Sequence, residues 1–479
     1  MSYKNKAMIT DFYELTMANG YFCGGMRDKM TYFDVFFRSV PDDGGYAIAA
    51  GLEQVIEYIR TLHFDESDIE FLRSKNTFSE EFLEYLKDFR FTGDIWSVPE
   101  GTPVFPGEPV LTVHAPAMEA QILETYILLA MNHQSLIATK AARICKAARG
   151  RVVLEFGARR AQGESAAVVG ARAAYIGGCA GSSNVLTDKL FGVPAGGTMA
   201  HAWVQMFDTE YDAFATYCRM YPDNAILLVD TYNTLKSGVP NAIRCFKEIL
   251  LPMGIDHFGI RLDSGDITYL TKQARKMLDD AGLPQCKITV SNSLDEFLIE
   301  DLIEQGACID SFGVGERLIT SNSAPVFGFV YKLAATEDDG VITPKIKISE
   351  NVSKITNPHF KKVYRIFENA TGKAVADQLC VYDETIDESQ PLVLFDPGAT
   401  WKKKTVTDFT AKELLVPIFK KGELVYESPD IAEIKRYSME QRDLLWDEVK
   451  RFENPHKYYV DMSEKLWNIK RELLEKNRG

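Results

Sequence analysis

At 479 residues the chain is long enough to bury a large core and to hold two domains or more. Its 46% apolar and 25% charged residues are those of an ordinary globular protein, and its net charge of −14 argues against a nucleic-acid or anionic membrane partner. It has no run of about 18 uncharged apolar residues, its first residues lack a secretory signal, and its eight cysteines form no CxxC pair, so a cytoplasmic protein with reduced thiols and no zinc site is expected.

Taken in chain order, Thr10-Asp11 is a candidate cap for an amphipathic run over residues 8–22. Residues 31–41 alternate like a strand, and 45–62 (GYAIAAGLEQVIEYIRTL) read as a helix. Residues 63–90 are charged with helical period, whereas 91–116 are short β runs broken by Gly and Pro. Residues 118–149 read as a long apolar helix pair. From about residue 150 a new rhythm begins: RVVLEF, AILLVD, HFGIRLD, KITVSN and IDSFGV alternate with helical stretches, which implies parallel strands in an α/β architecture. Arg159, Asp230, Asp263, Asn292 and Gly313 close these runs, where β/α barrels and doubly wound sheets both place their chemistry. The rhythm covers only roughly 180 residues, so a barrel would be irregular or short of a strand. Residues 327–398 read as β-rich, and 430–475 as charged and helical, a solvated face with a packing stripe.

The stretch 154–203 carries the most chemistry. A β run ends at Gly157, and Arg159 and Arg160 follow at once; paired guanidiniums at a strand end suit bidentate binding of phosphate or carboxylate. Ion pairing with acidic neighbours is the plainer reading of the same arginines. His201 lies among residues too small to cover it, and a neutral imidazole there can attack phosphorus. Without its glycines and the upstream arginines, it would read as a buried, hydrogen-bonded histidine. In RLDSGD, Arg261 suits an anionic substrate, and Asp263 suits a developing positive charge or Mg2+, against the alternative of a polar turn. Gly313 and Gly315 in SFGVGERL form a loop able to offer backbone N–H groups to a phosphate. ILLVDTYNT faintly resembles the diphosphate-sugar motif of a different, Rossmann-like fold. It lacks that motif's second acid and Thr-Gly loop and is read as a decoy.

TDFYELTMANGYF, EFGARRAQG, GTMAHAW, RLDSGD and FGVGERLIT with the later VYKLA stand in the order and spacing of the nicotinate phosphoribosyltransferases, which the chain resembles from residue 10 to about residue 335. The resemblance implies an N-terminal α/β sandwich (1–148), an irregular β/α barrel with the active site (149–326), a β-rich segment returning to the first domain (327–400) and a helical C-terminal extension (401–479). It implies a homodimer with shared active sites that makes nicotinate mononucleotide and diphosphate from nicotinate and phosphoribosyl diphosphate in NAD salvage. Mg2+ would be the cofactor and ATP a co-substrate, hydrolysed through a phosphohistidine. By match to the motifs, His201 is the phosphorylated residue. Tyr13 of the partner subunit and Phe156 stack on the pyridine ring, Thr198 and Arg261 contact nicotinate, Arg159 the phosphates, and Gly313 and Gly315 the 5′-phosphate. Two positions depart from the pattern. Glu316 stands where many relatives carry a small hydroxyl residue. Ser183 falls where nicotinamide-using relatives have an aspartate, which would accept from an amide and repel a carboxylate. Nicotinamide or quinolinate as substrate on the same fold remains the near alternative, and a catalytically silent regulatory binding module the distant one.

Overall fold

The computed structural model describes residues 6–476, which divide into two compact units: residues up to 136 together with those from 326 onward, and residues 137–325. The first unit contains a seven-stranded sheet in the order Val341–Pro344, Val330–Asp338, Met30–Phe36, Leu111–Pro116, Asp94–Ser97, Val416–Lys420 and Glu423–Leu424, with antiparallel pairing throughout. The later segment thus completes the N-terminal sheet, Val330–Asp338 pairing directly with Met30–Phe36. Residues 31–41 alternate like a strand in the sequence, but the strand is Met30–Phe36 and Thr31 through Val35 are all buried, as in a strand covered on both faces. Asp34 is tolerated in its middle because Lys361 Nζ (2.6 Å) and Thr112 Oγ1 (2.8 Å) both reach its carboxylate.

Two sequence readings change. Ala47–Ile48, expected to be helical, pair with Pro103–Val104, and the helix runs over Leu52–Thr61. It starts after Gly51, whose φ of 105° and close approach to Ala130 O (2.6 Å from where a Cβ would lie) no other residue accommodates. Residues 401–424, assigned to a helical extension, carry strands; the helices are Ile431–Asp443 and Glu464–Lys476. Ala399–Val406 (ATWKKKTV) is exposed at six consecutive positions, and its three lysines conceal any alternation. Pairing with Leu392–Asp396 makes it a strand, not a buried face.

The second unit is the α/β part. Six strands, every neighbouring pair parallel, run in the order Gly181–Ser182, Val152–Glu155, Ser311–Val314, Lys287–Ser291, Gly259–Leu262, Ile226–Leu228. The five β-branched runs are all strands; Gly181–Ser182, two residues long, left no pattern to read. Helices follow the strands with side-chain caps at their N-termini: Asp266 accepts from Tyr269 N at the start of Ile267–Asp280, and Asp295 from Leu298 N at the start of Glu296–Glu304. Parallel pairing brings the strand C-termini to one edge, where the polar residues closing each run gather. No helix among the described residues is long and apolar enough to cross a membrane.

Candidate active site

At that edge lies a cavity of about 530 Å³. Phe156, Arg159, Arg160, Thr198, Arg261, Asp263, Gly313 and Gly315 all line it, together with Ser183, Ser291, Asn292, Ser293 and Glu316. The structure therefore brings together residues that stand more than 150 positions apart in the sequence.

Arg261 is the largely buried charge of the wall, its side chain 14% exposed. Its Nη1 donates to Thr198 Oγ1 at 2.5 Å and to Met199 O at 3.4 Å. Burial pulls its pKa down, opposed by Asp263 and Asp230. Asp263 approaches only to 3.8 Å, and Arg261 Nε is buried with no partner. A desolvated guanidinium without a close carboxylate is a receptor for an anionic group.

Asp263 is held by two hydrogen bonds, one on its backbone and one on its carboxylate. Its backbone N–H donates to Asp230 Oδ2 at 2.8 Å, where the Ser264 hydroxyl also donates at 2.7 Å, and its own Oδ1 accepts from Ser291 Oγ. The side chain lines the cavity and is 33% exposed. Asn292 and Ser293 follow with φ of 82° and 52°. Two adjacent non-glycine residues in the left-handed region are costly and tend to occur at functional sites.

On the opposite side, Phe156 and the glycines interlock. A Cβ on Gly313 would fall 2.4 Å from Phe156 Cδ2, and one on Gly157 would fall 2.6 Å from Ile319 and 2.7 Å from Gly315 O. Gly313 therefore makes room for the ring, whereas Gly315 lies against the Phe156 carbonyl, 3.1 Å from its own would-be Cβ. Beneath them Glu155 is fully buried: its carboxylate accepts from Gly157 N and from Ser182 Oγ (2.6 Å), and burial pushes its pKa up. This residue, missed as functional in the sequence because it ends a strand, pins the turn that carries the arginines. Arg159 and Arg160 extend from that turn, both exposed. Glu316 is also exposed, and its carboxylate lies 3.9 Å from Arg160 Nε on the same wall.

His201 opens the short helix His201–Gln205 and is not part of the cavity wall, although Met199 and Ala200 are. Its Nδ1 meets Thr231 Oγ1 at 3.1 Å. Tyr13 belongs to the first unit, on the helix Phe12–Cys23, and is 43% exposed; burial and then Glu124 raise its pKa. No cluster of three or more His, Cys, Asp or Glu placed to hold a metal occurs among the described residues. Asp263 and Asp230, whose Oδ1 is buried without a partner, fit a hard cation that takes most of its oxygens from a substrate diphosphate.

Comparison with known proteins agrees along nearly the whole chain. Residues 8–132 match the nicotinate phosphoribosyltransferase (NAPRTase) N-terminal domain, 152–369 the NAPRTase family and 360–470 the nicotinate phosphoribosyltransferase C-terminal domain. The nicotinate phosphoribosyltransferase of Bacillus subtilis (strain 168) is 46% identical over 468 residues, covering 98% of this chain and 95% of that protein. A nicotinate phosphoribosyltransferase of Mycobacterium tuberculosis is 40% identical over 462 residues, 96% of this chain and 92% of that protein. The crystal structure of human nicotinic acid phosphoribosyltransferase superposes with a TM-score of 0.83 at 28% identity, covering 97% of this chain and 99% of that one. With this identity and coverage, and with residues of four of the motifs assembled in one cavity, the chain belongs to the nicotinate phosphoribosyltransferase family.

Proposed function

We propose that this chain joins nicotinate to phosphoribosyl diphosphate, forming nicotinate mononucleotide and diphosphate in NAD salvage, with ATP hydrolysis coupled through phosphorylated His201. The observation that carries the reading is the largely buried guanidinium of Arg261, with no carboxylate nearer than 3.8 Å among the described residues, in the cavity that Phe156 lines. The names of the relatives support the same substrate pair.

On this reading the catalytic domain is residues 149–326. Nicotinate enters with its carboxylate on Arg261 and Thr198 and its ring against Phe156, the other face covered by Tyr13 of the partner subunit in a homodimer. Arg159 and Arg160 take the phosphates, and Gly315 and Gly313 border the 5′-phosphate. As the ribose C1–O bond to diphosphate breaks, positive charge develops on the sugar, and the pyridine nitrogen supplies its electron pair to C1. The Asp263 carboxylate stabilises that charge, and its position is fixed beforehand by Ser291 and Asp230. Mg2+ bound by Asp263 and substrate oxygens would neutralise the leaving diphosphate. Ser183 in the wall favours nicotinate over nicotinamide, since a serine neither repels the carboxylate nor offers the amide an anionic acceptor. The free thiols fit a reducing cytoplasm.

Incubation with γ-labelled ATP tests the coupling. An acid-labile, base-stable label should appear on His201, and His201→Ala should abolish both label and ATPase while some uncoupled ribosyl transfer survives. A label that persists in the variant contradicts the assignment.

A further inference from the structure

We infer that Thr231 is the positioning residue that prepares His201 as a nucleophile, by accepting a hydrogen bond from Nδ1–H and so leaving the electron pair on Nε2. The inference rests on the phosphohistidine reading above and adds to it which ring nitrogen reacts and what selects it.

In a neutral imidazole one nitrogen carries the proton and the other the lone pair, and the partner of one decides the state of the other. Here Nδ1 lies 3.1 Å from Thr231 Oγ1, while Nε2 has no hydrogen-bond partner among the described residues and is not buried. One nitrogen is held and the other is presented. A threonine hydroxyl can donate or accept, but the two choices have opposite consequences. If it donated, Nε2 would bear the proton and could not attack phosphorus without first losing it. If it accepts, the Nε2 lone pair is available at once: the Nε2–P bond forms, the bond from the γ-phosphorus to the ADP oxygen breaks with its electron pair leaving on ADP, and Nδ1 keeps its proton throughout. The phosphorylated ring, still protonated on Nδ1, then carries one positive charge beside the anionic phosphoryl group, and Thr231 still accepts from it.

Thr231 is placed firmly enough for this role. It follows Asp230, whose carboxylate is engaged by Asp263 N and Ser264 Oγ. Val229 N donates to Arg261 O at 3.1 Å. After Thr231 the chain enters a wide turn in which Gly238 N reaches back five residues to Asn233 O (2.9 Å). A Cβ on Gly238 would lie 1.8 Å from Val229 O, so the turn packs directly beneath the backbone that carries Thr231. Such wide turns recur at functional sites. The helix bearing His201 is fixed in its own way, through Trp203 Nε1 donating to Ala213 O at 3.1 Å. The same segment that ties the base-pocket arginine to the neighbourhood of His201, Thr198 and Met199, precedes it by two residues.

The test compares the full-length wild type with Thr231→Val and Thr231→Ser. Valine keeps the shape and loses the hydroxyl; serine keeps the hydroxyl. Nitrogen NMR of resting, 15N-histidine-labelled enzyme reports the tautomer of His201, whose signal among the seven histidines is identified by its loss in His201→Asn. The expected result is the Nδ1–H form in the wild type and Thr231→Ser and the Nε2–H form in Thr231→Val. The rate of label transfer from γ-labelled ATP should fall about ten- to a hundredfold in Thr231→Val, as when the orienting partner of a metal-ligating histidine is removed, and serine should restore it. An Nε2–H tautomer in the wild type overturns the inference, as does wild-type labelling in Thr231→Val. A wild type that takes no label while showing the Nδ1–H form refutes the phosphohistidine reading and leaves the tautomer assignment standing.

Discussion

Replacing Arg261 by Gln removes one charge from the cavity and leaves a side chain able to reach toward Thr198. In the wild type the guanidinium is 14% exposed, and Asp263, the carboxylate paired with it, is 3.8 Å away. Burial depresses its pKa more than the acids restore it, so an arriving carboxylate meets a poorly compensated cation. Truncating one side of a buried, hydrogen-bonded charge pair costs about 2–5 kcal/mol. At about 1.4 kcal/mol per tenfold, kcat/KM for nicotinate should fall roughly thirtyfold to a few thousandfold. Nicotinamide, which carries no charge for Arg261 to meet, should change by less than about tenfold. The fold should tolerate the change, because Arg261 Nε is already buried without a partner; a loss of under about 1 kcal/mol moves Tm by only a few degrees in a chain of this size. Initial rates of mononucleotide formation with each base, at saturating phosphoribosyl diphosphate, measure the effect. A nicotinate loss below tenfold, or an equal loss on both bases with Tm intact, refutes the role given to Arg261.

Glu296→Ala should destabilise the second unit by about 3–5 kcal/mol in urea unfolding, because it leaves two cations buried; Glu296 Oε1 takes Lys140 Nζ at 2.9 Å and Arg143 Nε at 2.8 Å. A change below about 1 kcal/mol would show that the cations find other partners. Lys470, next to Lys361, has its pKa lowered to about 8 by burial first and by that neighbour second. Its unfolded value is about 10.4, so between these pH values the unfolded chain binds the extra proton and stability should rise with pH. Lys470→Met should flatten that rise, and parallel pH profiles for wild type and variant would contradict it. If sites are shared between subunits, mixing inactive Tyr13→Ala and Arg261→Ala chains under verified exchange should restore roughly a quarter of wild-type activity, since about half of the dimers are hybrids with one intact site. No recovery would mean that the sites are not shared.

Much of this was legible in the sequence because it was written in period and in turn chemistry. The five β-branched runs of the second unit are strands, and the polar residues that close them line or support the cavity, since parallel strands bring their ends to one edge. What escaped was carried by pairing across the fold. Ser291 Oγ reaches Asp263 from the neighbouring strand, a contact that depends on register. Thr231 sits inside ILLVDTYNT, a decoy as a diphosphate-sugar motif, yet Asp230 and Thr231 within it support Asp263 and meet His201. Glu155 looked like the end of a strand, and only the fold shows that both of its acceptor oxygens face site-bearing turns. The spacing of Gly313 suggests a phosphate cradle; the ring of Phe156 against it is a tertiary fact. Residues 399–406 hid their strand behind three lysines, because an exposed hairpin needs no apolar face.

The most direct measurement offers the purified enzyme phosphoribosyl diphosphate and Mg2+ with nicotinate, nicotinamide or quinolinate in turn, with and without ATP, and follows mononucleotide and diphosphate by chromatography and mass. The account predicts nicotinate mononucleotide at rates orders of magnitude above either alternative, with ATP increasing its yield. Comparable turnover of nicotinamide or quinolinate, or no product from any base, would contradict it.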